Sequence, residues 1–526
     1  MPNIIIDGIP VEAGDGETVL EAARRIGVEI PTLCHMKGFE SGASCMVCAV
    51  RTSHNGQFIP ACGSRAVEGM SVETASEEVR AARRMALELL FSDHLGDCLS
   101  PCQRICPAHL SIPAVLKHVR EGEFGLAAGT IRHDLAVANV LCRVCHRPCE
   151  SGCRRGAHDE AVAIASLVRH SLEKEGEART PVLRAERNEK VVVVGSGLSG
   201  LSAAWFLRQK GFPCSVFESA DELAPTIRAG FPDLDPAILE AELAGLKKAG
   251  VEFFTASGVE DLAKLREGFS AVIIAAGESA SELGLEMLGS RVKVDKDSMM
   301  TGIAGVFAVG SALRPGSKPV ASVADGKEVA ACVELYLDGR EIRRPAKPFS
   351  CFIGKLDETE MEAIMQESNP HGRELDEDDR SAEEIDRMIE ESHRCVQCNC
   401  PKIETCKLRD LAMEYQINLN RFSGGGRAAF KREVGHPLVN FEPGKCIRCG
   451  NCIKVASDHR EKLGLTFIGR GFDVHLGVPL DGTMEEGLLV AAEAAVAACP
   501  VGALSLKDPT FKKCGDSRHD DGGNGE

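Results

Sequence analysis

The alternation of apolar and polar residues at the start of the chain predicts a hairpin followed by a helix. Residues 3–6 and 9–12 are short apolar runs on either side of Asp7-Gly8, which is a strong signal for a two-residue turn. Apolar residues then recur at helical spacing over about Thr18–Ile26. This order of elements predicts a small α+β domain at the N-terminus.

Two other patterns follow. Residues 77–185 carry apolar side chains mostly at helical spacing. From Lys190 the run KVVVVGSG is typical of a buried parallel strand, because both of its faces are apolar, and a helical pattern comes next. This α/β pattern extends to about residue 340. The chain is therefore predicted to be a multidomain protein that combines α+β and α/β regions.

Length and charge narrow the class of protein. The 526 residues suffice for three or four domains with sizeable cores. A formal net charge of −17 argues against nucleic acid as a partner, because a phosphate backbone repels an acidic surface. No apolar run approaches the roughly 20 residues of a membrane span, and the N-terminus lacks the pattern of a signal peptide. We therefore expect a cytoplasmic protein with no direct membrane span.

Cysteine is the residue type that indicates the chemistry. The 23 cysteines fall into five groups, and Cys214, Cys332, Cys351 and Cys514 stand apart from them. A disulfide scaffold would spread its cysteines more evenly, and without a signal peptide metal or redox chemistry is expected. We interpret the groups as iron–sulfur sites, with structural zinc as the main alternative. Cys214, Cys332 and Cys351 are interpreted as plain buried cysteines.

The C-terminal group begins like a bacterial ferredoxin motif but lacks the fourth cysteine. In a two-cluster ferredoxin the fourth cysteine of each run ligates the other cluster. Counting back from the Cys-Pro pair at Cys499, the four ligand positions of a second cluster hold Leu489, Ala492, Ala495 and Ala456. All ligands of one cluster are therefore absent together. We assign a single [4Fe-4S] cluster to the ligands that remain, which are Cys446, Cys449, Cys452 and Cys499.

The N-terminal group has the spacing C-x10-C-x2-C-x13-C and comprises Cys34, Cys45, Cys48 and Cys62. Small residues in SGASCMVC would let backbone N–H groups turn toward sulfide. The segment resembles the [2Fe-2S] domain of the complex I large iron–sulfur subunit and of iron-only hydrogenases. The resemblance covers about residues 1–75 and implies a β-grasp ferredoxin fold, which fits the predicted hairpin and helix.

The segments SDHLGDCLSPCQRICPAHLSIP and LCRVCHRPCESGCRRG resemble the helical cluster domain of the glutamate synthase small subunit and its relatives. That family usually binds two [4Fe-4S] clusters there. This chain has Val168 where relatives carry a Gln or Glu ligand, and its seven cysteines are one ligand short of two clusters. His94 could fill the gap, because His94-x3-Cys98 is similar to a ligand pattern of the complex I subunit; the alternative is a surface histidine at a helix end. The candidate ligands are Cys98, Cys102, Cys106, Cys142, Cys145, Cys149 and Cys153, with His94.

A glycine fingerprint, G-x-G-x-x-G, lies between the predicted strand and helix at Gly195, Gly197 and Gly200, and Glu218 ends the next strand. The glycines permit a tight turn and a close approach of backbone to pyrophosphate, and the acid can accept a hydrogen bond from ribose. The region resembles the FAD domain of the same glutamate synthase relatives. That resemblance implies later flavin-binding strands near Gly277 and Gly310.

Three departures from the family pattern concern the flavin. Ala224-Pro225 replaces a Gly-Gly pair, and Ser311 replaces an aspartate. Only about 30 residues separate Gly277 from Gly310, where relatives insert a nucleotide domain of about 100 residues for NAD(P)H. The sequence therefore predicts an FAD site without the NAD(P)H insertion. A vestigial Rossmann scaffold without flavin is the alternative.

The fifth group, C-x2-C-x-C-x5-C, comprises Cys395, Cys398, Cys400 and Cys406. It could hold a further [4Fe-4S] cluster, and zinc is its strongest competitor. The total expectation is FAD, one [2Fe-2S] cluster and three to four [4Fe-4S] clusters.

The patterns and resemblances together give six segments. They are a [2Fe-2S] β-grasp ferredoxin domain (1–76), a helical [4Fe-4S] domain (77–185), a Rossmann-like FAD domain (186–345), an acidic linker with a cysteine motif (346–410), a ferredoxin-like [4Fe-4S] domain (411–510) and a disordered tail (511–526).

Clusters that carry one electron and a flavin that carries two can link different kinds of redox partner. We therefore expect an electron-transfer subunit that works with a dehydrogenase- or hydrogenase-type partner or a soluble electron carrier. The pattern shows no catalytic base or nucleophile. Two alternatives remain at this point: an autonomous NAD(P)H-dependent flavin reductase, and a structural hub whose clusters only stabilise the fold.

Overall fold

A computed structural model describes residues 1–174, 183–373, 375, 384–422 and 426–507. The chain divides into two compact units. Unit 1 comprises Met1–Ser100, Phe349–Ser368 and Val396–Glu526, and unit 2 comprises Pro101–Pro348 and Asn369–Cys395. The predicted tail, 511–526, lies outside the described residues. The two segments of unit 2 thus interrupt the sequence of unit 1 at two places.

The strands are β1 (Asn3–Ile6), β2 (Ile9–Glu12), β3 (Ala49–Thr52), β4 (Phe58–Pro60), β5 (Ser71–Glu73), β6 (Val191–Val194), β7 (Cys214–Phe217), β8 (Val251–Phe254), β9 (Ala271–Ile274), β10 (Met287–Leu288), β11 (Arg291–Val292), β12 (Val306–Ala308), β13 (Val439–Phe441), β14 (Thr466–Ile468), β15 (His475–Gly477) and β16 (Leu504–Leu506).

The α-helices are α1 (Val19–Arg25), α2 (Glu77–Ser92), α3 (Pro101–Ile105), α4 (Ile112–Arg120), α5 (Phe124–Asp134), α6 (Ala138–Val144), α7 (Pro148–Ser151), α8 (Ile164–Glu173), α9 (Leu198–Gln209), α10 (Pro225–Gly230), α11 (Pro236–Lys248), α12 (Leu262–Gly268), α13 (Pro319–Leu337), α14 (Glu358–Met365), α15 (Glu384–His393), α16 (Lys407–Glu414), α17 (Asn451–Asp458), α18 (Met484–Gly487) and α19 (Ala492–Ala498).

The N-terminal part of unit 1 is a five-stranded mixed sheet in the order β2-β1-β5-β3-β4. β1 pairs with β2 as the predicted hairpin, and it pairs with β5 in parallel. Helix α1 begins after Thr18, whose side chain and that of Glu21 form a reciprocal capping box that satisfies free backbone N–H groups. Both elements predicted at the start of the chain are therefore confirmed.

The C-terminal part of unit 1 is built from the antiparallel pairs β13–β16 and β14–β15, with α17 packed against α19. The apolar side chains of these elements join those of the N-terminal sheet in one buried core. The two ends of the chain therefore share the interior of unit 1.

Unit 2 contains a parallel sheet in the order β12-β9-β6-β7-β8. If these five strands are numbered 1 to 5 in chain order, the sheet read from β8 to β12 has the order 3-2-1-4-5, which is that of a Rossmann fold. In this order the chain changes direction between the first and fourth strands, β6 and β9. All four residues of β6, Val191–Val194, are buried, as their apolar run predicted. The carboxyl ends of β6 and β9 therefore lie together at a topological switch point.

The remainder of unit 2 is mostly helical, with α4, α5 and α8 packed on one another and α4 packed on α15. The mixed α+β and α/β fold class is confirmed. The segment 77–185, predicted as one helical domain, is divided between the units after Ser100. Among the described residues, no helix has both the length and the apolar character needed to cross a lipid bilayer.

The close packing of α9 on β6 generates a prediction. A Cβ atom on Gly200 would lie 2.0 Å from the carbonyl oxygen of Gly195. Because that atom belongs to the backbone, we expect Gly200→Ala to destabilise unit 2 by about 1–3 kcal/mol, as overpacking generally does. A shift of the unfolding transition in urea, followed by circular dichroism, measures this.

The matched control is Gly245→Ala in α11, where a Cβ atom would have nothing within 4 Å. This change should stabilise the helix by roughly 0.5–1 kcal/mol. Equal shifts for the two variants would contradict the packing argument.

Candidate cysteine clusters and nucleotide cavity

The N-terminal cysteines lie in the loop between α1 and β3 and in the turn that follows β4, all in unit 1. The Sγ atoms of Cys48 and Cys62 lie 3.3 Å apart, and side-chain contacts join Cys34 to both Cys45 and Cys62. All four side chains are buried. The Ser41 hydroxyl donates to Cys62 Sγ at 2.9 Å. The structure thus brings the four predicted ligands together in a site with a hydrogen-bond donor for sulfur.

The C-terminal cysteines surround a small apolar cavity in unit 1, whose lining includes Cys446, Cys449, Cys452, Cys499, Phe467 and Leu476. Cys452 lies in the first turn of α17, and Cys499 directly follows α19. The helix packing therefore fixes the position of Cys499 relative to the three cysteines that are close in sequence.

The four positions that lack the ligands of a second cluster also lie in this region of unit 1. Ala456, Ala492 and Ala495 are buried in the core where α17 packs against α19. Leu489, the fourth substituted position, is instead exposed. Small side chains at the former ligand positions let the helices approach closely, so packed alanines occupy the α17–α19 interface.

Residues with a left-handed backbone conformation recur in the loops around the cysteine groups. Non-glycine residues with positive φ are uncommon, and at functional sites they often aim backbone N–H groups at anions. Here they follow cysteines by one to three residues, at Met46 (φ 54°), His109 (54°), Arg147 (55°), Gln397 (44°) and Arg448 (52°). In unit 1 the Arg448 N–H donates to Cys446 Sγ at an N···S distance of 3.4 Å. The loops are therefore shaped to solvate sulfur with backbone donors.

One group in unit 2 combines cysteines from both segments of the helical region. Cys106 interacts electrostatically with Cys142, Cys145 and Cys149. The Cys106 sulfur also accepts N–H groups from the three residues 108–110. Burial raises the pKa of the Cys142 thiol to about 12. Four thiols of unit 2 thus share one environment, and Val168 is a buried apolar residue of α8.

Cys98 does not belong to the same compact unit as Cys102 and Cys106. It lies in unit 1, where its Sγ atom is 3.3 Å from the Sγ atom of Cys351. Cys351, interpreted from the sequence as a plain buried cysteine, therefore has a second buried cysteine beside it. No local motif marked Cys351, because its nearest neighbours among the cysteines in the sequence, Cys332 and Cys395, lie too far along the chain to form a motif with it.

The fifth motif crosses the boundary between the units. Cys395 ends a segment of unit 2, whereas Cys398, Cys400 and Cys406 belong to unit 1. Cys400 and Cys406 are buried, and Cys398 is partly buried. The C-x2-C-x-C-x5-C spacing therefore does not keep its four cysteines within one compact unit.

His94 is a partly buried residue of unit 1, and its Nδ1 atom is shielded from solvent. Burial and the nearby Lys445 ammonium lower the pKa of His94 to about 4, so its imidazole is neutral at pH 7. Its ring packs edge-on against Phe91, with the centroids 5.5 Å apart. The ligand role of His94 and the alternative of a surface histidine at a helix end both stay predictions.

A cavity of about 680 Å³ opens at the switch point of the parallel sheet in unit 2. Its walls come from the carboxyl ends of β6, β7 and β9 and from the segment after β12, with Gly195, Glu218, Gly277 and Ser311 among the lining residues. Ligands of open α/β sheets bind at this place. The cavity extends to both sides of β6, as an extended dinucleotide requires.

The glycine fingerprint shapes the floor of this cavity. Gly195 has a φ of +106°, and a Cβ atom there would lie 2.6 Å from the Ala275 carbonyl oxygen. Gly197 is the N-cap of α9, so free backbone N–H groups at this helix start can face an anion. These residues fit a pyrophosphate group.

Glu218 is fixed at the rim by hydrogen bonds. Its carboxylate accepts from the Ser196 N–H at 3.0 Å, from the Ser196 hydroxyl and from the Ala220 N–H at 3.1 Å. Burial alone would raise the pKa of Glu218, but these donors outweigh it and lower the pKa. The group is therefore an oriented carboxylate that can accept a hydrogen bond from ribose.

Of the substituted family positions, Pro225 and Ser311 line the cavity, and Ala224 precedes Pro225. Ala224 adopts a left-handed conformation, with φ of 57°, in which glycine would be less strained. Its N–H donates to the Ser196 hydroxyl at 2.8 Å, and Ser196 in turn is bound to Glu218. The turn expected for glycine thus persists with alanine.

Comparison with protein families confirms the resemblances drawn from the sequence. Residues 2–77 match a 2Fe-2S iron-sulfur cluster binding domain. Residues 93–180 match the 4Fe-4S cluster domain II of dihydropyrimidine dehydrogenase, and residues 193–233 match an NAD(P)-binding Rossmann-like domain. The chain therefore combines iron–sulfur and dinucleotide-binding regions.

Curated relatives are similar to parts of the chain. The beta subunit of an NADP(+)-dependent formate dehydrogenase from Moorella thermoacetica is 34% identical over 35% of this chain and 30% of its own length. Subunit HndD of an NADP-reducing hydrogenase from Solidesulfovibrio fructosivorans is 34% identical over 29% and 28%. The small chain of glutamate synthase [NADPH] from Bacillus subtilis (strain 168) is 32% identical over 33% and 36%. The chain spans about a third of the length of these relatives.

The geometry at Glu218 generates a second prediction. In Glu218→Gln an amide N–H₂ group would face donors that now bind a carboxylate. We expect dinucleotide affinity to fall about 10- to 100-fold, the usual effect of losing charge-assisted hydrogen bonds. Isothermal titration with the dinucleotide measures this. Glu222→Gln is the control, because Glu222 lies outside the cavity lining and pairs only with Arg228 among its described ion pairs; equal affinities for the two variants would disprove the role of Glu218.

Proposed function

We propose that the chain is an electron-transfer subunit of a larger redox complex, which relays electrons between a dehydrogenase- or hydrogenase-type partner and another acceptor. The observation that carries this proposal is the contact between two cysteine loops in unit 1. The Asn451 side chain, adjacent to Cys452, donates to the carbonyl oxygen of Leu33, adjacent to Cys34, at 3.3 Å. Cys34 and Cys449 also interact electrostatically. Neighbouring clusters are the requirement for passing electrons through protein.

The ligand sets follow from the cysteine groups. Thiolate sulfur is the usual protein ligand of both cluster types. We assign a [2Fe-2S] cluster to Cys34, Cys45, Cys48 and Cys62. We assign [4Fe-4S] clusters to the C-terminal group, Cys446, Cys449, Cys452 and Cys499, and to the unit 2 group, Cys106, Cys142, Cys145 and Cys149.

The resident dinucleotide proposed for the switch-point cavity is FAD. Bound FAD supplies two-electron chemistry beside carriers of single electrons. Gly195 and the start of α9 would hold its pyrophosphate, and Glu218 its ribose. Support comes from the similarity to the glutamate synthase small chain and from the short stretch between Gly277 and Gly310, which leaves no second fingerprint for NAD(P)H.

A second candidate function has its own support. Residues 193–233 match an NAD(P)-binding family, and the same cavity could accept NAD(P)H directly. In that case the isolated chain would be an autonomous NAD(P)H-dependent reductase. The two functions differ in what NAD(P)H does to the isolated chain.

The third prediction tests the C-terminal cluster. Cys499→Ala removes a thiolate, so we expect about four irons per chain to be lost and the corresponding [4Fe-4S] signal to disappear from the electron paramagnetic resonance spectrum. The [2Fe-2S] signal should persist. Cys214→Ala, at a buried cysteine of β7 outside the groups, should keep all signals. An unchanged spectrum for Cys499→Ala would refute the assignment.

The fourth prediction separates the relay from the autonomous reductase. Flavin-loaded chain mixed anaerobically with NADH or NADPH should keep its flavin absorbance, because the chain offers one dinucleotide fingerprint. Reduction should require the native partner and its substrate. Rapid bleaching of the isolated chain by NAD(P)H would support the reductase instead.

A further inference from the structure

Four cysteines from three distant segments meet inside unit 1. The Sγ atoms of Cys98 and Cys351 are 3.3 Å apart, and Cys400 and Cys406 interact electrostatically with Cys98. The backbone ties the segments together: Cys98 N–H donates to the Cys351 carbonyl oxygen at 3.3 Å, and Cys400 N–H donates to the Cys98 carbonyl oxygen at 3.2 Å. All four side chains are less than a tenth exposed.

We propose that Cys98, Cys351, Cys400 and Cys406 hold a [4Fe-4S] cluster. Three of these cysteines come from two sequence motifs, and the proposed ligand set splits each of those motifs. Cys98 separates from Cys102 and Cys106, and Cys400 and Cys406 separate from Cys395. It also recruits Cys351, which belongs to no motif.

The backbone around these sulfurs has the donor pattern seen at the other groups. The N–H of Lys402, two residues after Cys400, donates to Cys400 sulfur. Cys406 is the N-cap of α16, and its sulfur accepts the N–H groups of Leu408 and Arg409 at the helix start. Hydrogen bonds from N–H groups to thiolate sulfur stabilise the negative charge that iron ligation requires.

Charge in the surrounding core also favours four thiolates. Lys445 is buried and forms an ion pair of 2.7 Å with Glu442, which Arg432 also contacts at 3.2 Å. Lys445 and Arg432 thus share the Glu442 carboxylate, and the Lys445 ammonium interacts electrostatically with Cys400. Buried charge requires compensation. A cluster with four thiolate ligands carries net negative charge and supplies it, whereas four neutral thiols would not.

The position of the site favours iron over zinc. A Cβ atom on Gly502 would lie 2.4 Å from Cys400 Sγ, so the chain just after Cys499 contacts this site directly. Lys402 Nζ, two residues from Cys400, donates to the Cys499 carbonyl oxygen at 2.8 Å. The proposed cluster is therefore the neighbour of the C-terminal cluster site, which itself neighbours the [2Fe-2S] site. A zinc ion is redox-inactive and could not pass electrons between these sites.

The test compares Cys351→Ser with Cys332→Ser in the anaerobically purified full chain. Cys332 is an equally buried cysteine of α13 outside every group. We expect Cys351→Ser to lose about four irons per chain and one [4Fe-4S] signal, and Cys332→Ser to lose neither. Should Cys351→Ser fail to accumulate, Cys98→Ser and Cys406→Ser test the same site from the other segments.

A second comparison tests the grouping. Cys98→Ser and Cys351→Ser should lose the same signal, and Cys106→Ser should lose a different one. Full iron content in Cys351→Ser, a shared loss in Cys98→Ser and Cys106→Ser only, or loss of one zinc ion instead of iron would each overturn the proposal. The Cys499→Ala variant should lose neither of these two signals, so the outcome is distinct from that of the C-terminal assignment.

Discussion

Unit 1 depends on one constraint, which is the burial of cysteine sulfur beside backbone N–H donors and side-chain cations. Thiolates need donors or positive charge when they leave water. The protein supplies donors by bending short loops through left-handed residues such as Met46 and Arg448, each of which is strained by about 1–2 kcal/mol. It supplies charge through the buried Lys445, adjacent in sequence to Cys446. These features are unfavourable for an apoprotein, so cluster binding is expected to contribute to folding itself.

The nucleotide region of unit 2 depends instead on ordinary Rossmann geometry, which forms a crevice for a ligand. Parallel strands place their carboxyl ends at one edge, and the change of direction beside β6 opens a crevice there. Glycine at positions 195 and 200 is required by close backbone approach rather than by flexibility. The hydrogen-bond chain Ala224–Ser196–Glu218 then couples the turn before α10 to the orientation of the carboxylate. Replacement of a family glycine by Ala224 was tolerated because this chain fixes the turn.

Local features were predictable from the sequence, and long-range ones were not. The hairpin at Asp7-Gly8, the capped helix α1 and the apolar strand β6 depend on neighbours in sequence, and the structure confirms each of them. The cysteine spacings likewise bring Cys45 near Cys48 and Cys446 near Cys449. In contrast, Cys98 and Cys351 are 253 residues apart, and no periodicity encodes such a contact. Assigning ligands by motif therefore grouped cysteines that the fold separates.

The order of the units along the chain explains why an isolated cysteine matters. The chain leaves unit 1 after Ser100 and returns at Phe349, and it enters unit 1 for the last time at Val396. Cys98, Cys351 and Cys400 each lie within about five residues of one of these crossings. An inserted unit requires the two ends of the host chain to lie close together, and bringing such ends together carries a loop-closure entropy that grows with length. The proposed sulfur ligands near the crossings would join these segments of unit 1 to one metal centre. The proposed cluster would therefore lie on the electron path and also hold together three separate segments of unit 1.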